Sequence, residues 1–279
     1  MTQRNIIPDI IFEDNCLIVA RKPAGMAVQS RKVTSMDLEN WLLNYLAGKN
    51  KITGGKPYLA VINRLDQPVE GLVLFAKTKD AAKNLSSQLQ NDKIQKEYLA
   101  VIEGKPERKE GTLEDYLVKD EKNNISCISD RNTPGAKRAV LHYEILPGVS
   151  EIYPESHSEV LPEILPEPVQ KADEGEETAA QKTRAAGKST EEHREITGNL
   201  VRIQLQTGRH HQIRVQMSHA GMPLFGDRKY NPGTAGNTIA LCASRLLFRH
   251  PQSGRKMEFK TFPEGEGFRG FFSRRASGK

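Results

Sequence analysis

Between Leu146 and Asn199 the apolar periodicity of this 279-residue chain stops, and that gap constrains how the rest can fold. Residues 150–198 hold 12 acidic and 5 basic side chains in a background of Glu, Pro, Ala, Lys and Thr. Such a segment cannot bury enough apolar surface to offset the entropy of ordering it, so a disordered insert is expected there. Its flanks behave differently. Ala139–Leu146 and Leu200–Gln206 both alternate apolar and polar residues, the period of a half-buried strand. They read as one antiparallel hairpin whose connection has been lengthened. The expected organisation is therefore a first part over 1–149, an acidic insert over 150–198, and a second part over 199–279 that ends in a basic tail. The segment's net −7, against +6 for the whole chain, leaves +13 on the remainder. That excess points to a polyanionic partner, because Lys and Arg gain by releasing phosphate counterions.

The remainder reads as strands interleaved with a few helices. Ile10–Gln29 suggests a strand pair, with Leu17-Ile18-Val19-Ala20 closed by the turn Lys22-Pro23-Ala24-Gly25. Residues 34–46 carry Leu38, Trp41, Leu42, Tyr45 and Leu46 at helical spacing, with Thr34 or Ser35 as the expected cap. Strands are expected at 59–62, 72–75 and 98–102, and helices at 79–90 and 215–220. No apolar run approaches the roughly 20 residues that span a bilayer. Cys16, Cys127 and Cys242 form no CxxC pair, which fits a reducing, cytoplasmic setting rather than a disulfide scaffold or zinc knuckle. The histidines lack metal-ligand spacing. Gly265–Gly270 fits GxGxxG, but no helix pattern follows it, so a dinucleotide site is not expected.

Two polar clusters carry the chemistry. In Asn63–Lys77 a strand runs into a turn holding Arg64 and Asp66 and then into a second strand, a setting in which catalytic side chains concentrate. Read alone, that pair is equally compatible with a surface salt bridge. In Thr207–Arg214 the donors Arg209, His211, Gln212 and Arg214 crowd the start of a helix, the end that disfavours cations unless an anion compensates.

With Lys96-Glu97-Tyr98-Leu99-Ala100 and Gly221–Asp227, these clusters resemble the RluA-type family of pseudouridine synthases. Segments near Glu13–Met26 and Leu241–Pro251 fit the same pattern. The resemblance implies an α+β fold with a mixed, largely antiparallel central sheet and flanking helices. It implies catalytic roles for Asp66, Tyr98 and Arg214: the reacting carboxylate, an aromatic against the target base, and the carboxylate's guanidinium partner. Arg64, Arg209, His211, Gln212 and Lys22 are expected at the RNA, with Arg64 helping to displace the base. The implied partner is structured ribosomal or transfer RNA, acted on by a monomer without cofactor or metal. With the opening motif near residue 10, no N-terminal S4-type domain is expected, and RNA binding falls to the catalytic domain's own basic surface. A non-catalytic RNA binder and a hydrolase using Asp66 are the competing expectations. Asn63 stands where the family has His, and Val69-Glu70 where it has Thr-Ser. Glu70 would add negative charge beside the turn.

Overall fold

The computed structural model describes residues 7–30, 36–49, 57–147 and 198–268. The expected disordered insert (save Gly198), most of the basic tail, and the caps Thr34 and Ser35 lie outside the described residues. The described chain builds an 11-stranded mixed sheet with three α-helices, so the expected α+β class is observed. β1 (Asp9–Glu13) and β2 (Leu17–Lys22) form the first hairpin, and α1 (Leu38–Lys49) follows. β3 (Ala60–Val61), β4 (Glu70–Ala76), α2 (Lys79–Gln90) and β5 (Gln95–Ile102) come next. A long arm of β6 (Glu110–Asp120) and β7 (Ile125–Ser129) leads to β8 (Lys137–Leu146). β9 (Asn199–Leu205), α3 (Gln212–His219), β10 (Leu241–Arg249) and β11 (Lys256–Lys260) complete the order.

The strands lie in the order β1-β2-β4-β10-β5-β9-β8-β6-β7, with β3 on β4 and β11 on β10. β8 and β9, on either side of the acidic segment, pair antiparallel from Leu141↔Leu205 to Leu146↔Leu200. β10 arrives late in the chain yet inserts between β4 and β5, parallel to the first and antiparallel to the second. The parallel contact is short and tight. A Cβ on Gly71, whose φ is +121°, would stand 2.4 Å from the Ala243 carbonyl oxygen. Only glycine allows that conformation and that approach together.

Continuous apolar runs in the central strands follow from burial on both faces. In β2, Ile18 and Ala20 pack with α1 residues Leu38, Leu42 and Leu46. Leu17 and Val19 pack on the other side with Ala81 and Leu85 of α2. α2 runs over the expected residues, its first turn closed by Thr78 Oγ1, which accepts the Ala81 N–H at 3.2 Å.

α1 corrects one expectation. Its cap is Asp37, whose Oδ1 accepts the Asn40 N–H at 2.8 Å while Oδ2 accepts from Ser30 at 2.7 Å. A carboxylate does this better than a hydroxyl, because it serves the helix and the incoming loop at once. α3 likewise begins at Gln212, three residues before the apolar pattern that marks it in sequence. Its first turn includes two polar residues, Gln212 and Arg214, that are buried.

Candidate active site

The Asp66 turn is anchored from beneath. Asn63 is buried and acts as a backbone surrogate: Oδ1 accepts the Leu74 N–H at 2.7 Å and Nδ2 donates to the Leu72 carbonyl at 3.3 Å. The turn closes with the Val69 N–H on the Asp66 carbonyl. Gln67 exchanges hydrogen bonds with Gly25, its carbonyl accepting the Gly25 N–H and its Nε2 donating to the Gly25 carbonyl.

Lys22 secures the same junction, and this corrects its expected place at the RNA. It is fully buried, and its Nζ donates to the carbonyls of Pro23, Met26 and Gln67 at 3.0, 2.7 and 3.1 Å. Burial pushes the ammonium down to about 7, against the pull of Asp66 and Glu70. The side chain holds two loops together and presents no face to a ligand. Lys22→Met keeps the stem but strands three carbonyls. We expect it to cost about 1–3 kcal/mol, read as a lower denaturation midpoint, with faster amide exchange over 66–69.

Glu70 is also displaced from its expected role beside the turn. It is 5% exposed, and its carboxylate accepts the backbone N–H groups of Glu264 and Gly265, tying the C-terminal segment to the start of β4. Burial raises its pKa. Gly265 and Gly267 of the GxGxxG-like stretch thus serve packing: a Cβ on Gly265 would meet Glu70 Oε1, and one on Gly267 the Thr238 carbonyl oxygen, each at 2.7 Å.

Against this turn, α3 delivers Arg214. Its Nε and Nη2 donate to the two oxygens of Asp227 at 2.8 and 2.7 Å, and its Nη1 donates to Asp66 Oδ2 at 3.1 Å. The guanidinium carbon lies 5.3 Å from the centre of the Tyr230 ring. Arg214 is 5% exposed and Asp227 1%, whereas the Asp66 side chain is 28% exposed. One carboxylate therefore fixes the arginine from below, and the arginine presents a remaining N–H to a carboxylate that opens to solvent. The two carboxylates together compensate a cation at the first turn of a helix. Tyr98 lies in the core cluster that also contains Leu65, and its phenol is pushed up, first by burial and then by the charge of Asp66.

The remaining expected contacts divide by burial. Arg64 and Arg209 are exposed, with Arg209 Nε donating to the Arg138 carbonyl at 2.9 Å. Gln212 is 3% exposed and corrects its expected RNA role. Its Oε1 accepts from Thr207 Oγ1 and the Arg209 N–H, and its Nε2 donates to the Val140 carbonyl, which shapes the loop leading into α3. His211 is buried too, its Nε2 3.4 Å from Asp66 Oδ2.

Asp227 and Tyr230 complete the centre. In the sequence Asp227 enters only as the last residue of the Gly221–Asp227 segment, with no role assigned to it, and Tyr230 carries no signal of its own. Elsewhere, Asp14, Cys16 and His250 bring possible ligand atoms within 4.8 Å of one another. There His250 Nδ1 accepts the N–H groups of Gln252 and Ser253. Its proton is thereby placed on Nε2, which donates to Asp14 Oδ2 at 2.7 Å. The trio closes a turn.

This geometry of a solvent-open aspartate on a buried arginine coincides with a family match. The family described as RNA pseudouridylate synthase matches residues 16–219. The chain belongs to that family. It is 30% identical over 256 residues to the uncharacterized RNA pseudouridine synthase YlyB of Bacillus subtilis, covering 90% of this chain and 68% of that one. It is 29% identical over 264 residues to the ribosomal large subunit pseudouridine synthase D of Zymomonas mobilis, with the same coverage. The fold is shared with human RNA pseudouridylate synthase domain containing 4, at a TM-score of 0.62, 19% identity, and 95% and 92% coverage. This RNA pseudouridine synthase is thus of the RluA type. No helix among the described residues is long and apolar enough to cross a membrane.

Proposed function

We propose that this pseudouridine synthase acts on uridines of structured ribosomal or transfer RNA, in the cytoplasm, with Asp66 as its reacting carboxylate. The observation that carries the assignment is the 3.1 Å contact from Arg214 Nη1 to Asp66 Oδ2, made by an arginine already locked on Asp227. In the reaction the C1′–N1 bond breaks, the uracil turns, and a C1′–C5 bond forms. The C5 proton leaves and N1 takes one up, so atoms balance without a redox change. A carboxylate can meet the sugar carbon, or remove a proton from the sugar, while a fixed guanidinium keeps it aimed.

A uridine paired in a stem must first leave its stack, and Arg64, exposed in the same turn as Asp66, fills the space it vacates. Arg209, exposed in the loop before α3, supplies further positive charge for the RNA. Tyr98, a protonated phenol at neutral pH, forms an apolar floor for the base near the carboxylate.

The hydrolase alternative calls for a second free carboxylate. Glu70 is tied to two backbone amides, and Asp227 is engaged on both oxygens by Arg214, so neither is available as its acid or base. The name of the Zymomonas mobilis relative favours large-subunit ribosomal RNA as the first substrate to test.

RNA tritiated at uridine C5 reports the reaction directly. We expect the protein to release tritium from ribosomal or transfer RNA in step with pseudouridine formation, mapped on each RNA separately. Unchanged label in both, with a folded protein, overturns the proposal.

A further inference from the structure

We propose that His211 is a positioning residue which, held in one tautomer by Tyr230, joins Arg214 on Oδ2 of Asp66 and so leaves Oδ1 as the oxygen that meets the ribose. The inference rests on Asp66 being the reacting group, as argued above.

The hydrogen bonds assign the protons. Tyr230 Oη accepts the Ser126 N–H at 2.7 Å and stands 2.8 Å from His211 Nδ1. A neutral imidazole carries one ring proton, and the carboxylate beside Nε2 can only accept, so that proton sits on Nε2 and the phenol donates to Nδ1. Nδ1 is then the acceptor, and the ring proton belongs to Nε2. That nitrogen stands 3.4 Å from Asp66 Oδ2, the oxygen that already receives Arg214 Nη1. Among the described residues, the one hydrogen bond that the Asp66 carboxylate accepts, from Arg214, falls on Oδ2, and none reaches Oδ1.

Two further observations single out His211. Its backbone is left-handed, with φ +52° and ψ 22°, a conformation that costs a residue with a Cβ about 1 kcal/mol. It also stacks on His210 at 3.8 Å between ring centres. His210 is itself held by Ser126, whose Oγ donates to the His210 carbonyl and lies 2.9 Å from its Nδ1. The strain is maintained from outside the loop, by a residue of the β6–β7 arm and by Tyr230.

The charged groups that face His211 are Asp66 from the turn, Arg214 from α3, His210 from its own loop, and Lys229 beside Tyr230. Burial lowers the imidazole to about 4, so it is neutral across the physiological range, which agrees with the tautomer. A neutral N–H donor orients the carboxylate without taking its charge. The side chain is 5% exposed, so it offers no edge to RNA.

The test compares steady-state tritium release by wild type, His211→Phe, His211→Gln and Tyr230→Phe, with Asp66→Ala as the inactive control. Gln can place an amide N–H near the position of Nε2; Phe cannot. We expect His211→Phe to lose roughly 30- to 100-fold in kcat with KM within about threefold, since hydrogen bonds to charged groups carry effects of that size. His211→Gln should recover to within about fivefold of wild type, and Tyr230→Phe should lose about tenfold by freeing the tautomer. Should one variant fold poorly, the other two still decide.

Wild-type kcat in His211→Phe overturns the inference. So does equal impairment in the Phe and Gln variants, or a loss confined to KM. If instead Asp66→Ala retains activity, the assignment of Asp66 is what fails. A complex with uridine-containing RNA gives an independent reading: Oδ1, rather than Oδ2, should lie about 3–3.5 Å from the ribose.

Discussion

Asp66→Asn is expected to lower kcat by at least about 10⁴-fold, equivalent to roughly 5 kcal/mol on the barrier. The substitution keeps the shape of the side chain and its ability to accept from Arg214 Nη1, so the turn has little reason to move. What it removes is the charge and the electron pair that must meet the sugar. Asp66 is 28% exposed, and Arg214 keeps Asp227, so no charge is left buried and alone. The melting temperature should therefore stay within about 3 °C of wild type. RNA affinity, measured by filter binding, should fall by less than about threefold. Loss of activity together with loss of folding would reassign Asp66 to a structural role. Retained activity would remove it from the mechanism.

Asp227→Ala should have the largest effect on stability. Arg214 is 5% exposed and directs two of its three donor nitrogens at Asp227. Removing that carboxylate leaves a buried guanidinium with a single, half-open partner. Breaking such a pair costs about 3–5 kcal/mol, chiefly the penalty for the charge left behind. Activity should also drop, by roughly 100-fold, because the arginine that aims Asp66 is no longer fixed to within the few tenths of an ångström the reaction needs. Chemical denaturation checks the first number and tritium release the second. Asp227→Asn retains one acceptor for the fork and should fall between the two. If Asp227→Ala were as stable as wild type, Arg214 would have to be held by the Tyr230 face and Asp66 alone.

Much of this protein could be read before any coordinates. Lys79–Gln90 announces itself through its apolar spacing, and the helix occupies those residues. The runs Leu17–Ala20 and Leu72–Phe75 signal strands, and both strands are flanked on each side by neighbours in the sheet. Arg214 was expected opposite Asp66, and it is there. The readings that failed at the site share one cause. Lys22 and Gln212 are polar side chains beside the expected site, and the resemblance implied contact with RNA for both. Their burial depends on whether backbone acceptors surround them, and those acceptors come from loops far along the chain. Glu70 is the same case, satisfied by amides 194 and 195 residues away. The cap of α1 was misplaced because Asp37 serves both the helix and Ser30, which a search for hydroxyl caps overlooks.

Sequence alone determined the local elements and the residue types that perform the chemistry, because periodicity, turn residues and caps act over a few positions. The three-dimensional structure decided everything that needs distant groups at hydrogen-bond distance. Asp66 and Arg214 are separated by 148 residues, and they meet because α3 lays its first turn against the loop between β3 and β4. The insertion of β10 between β4 and β5, allowed by Gly71, the burial of Lys22, and the single tautomer of His211 belong to the same class. Each is settled by which backbone groups and charges the assembled sheet brings together, and no short window of the chain contains that information.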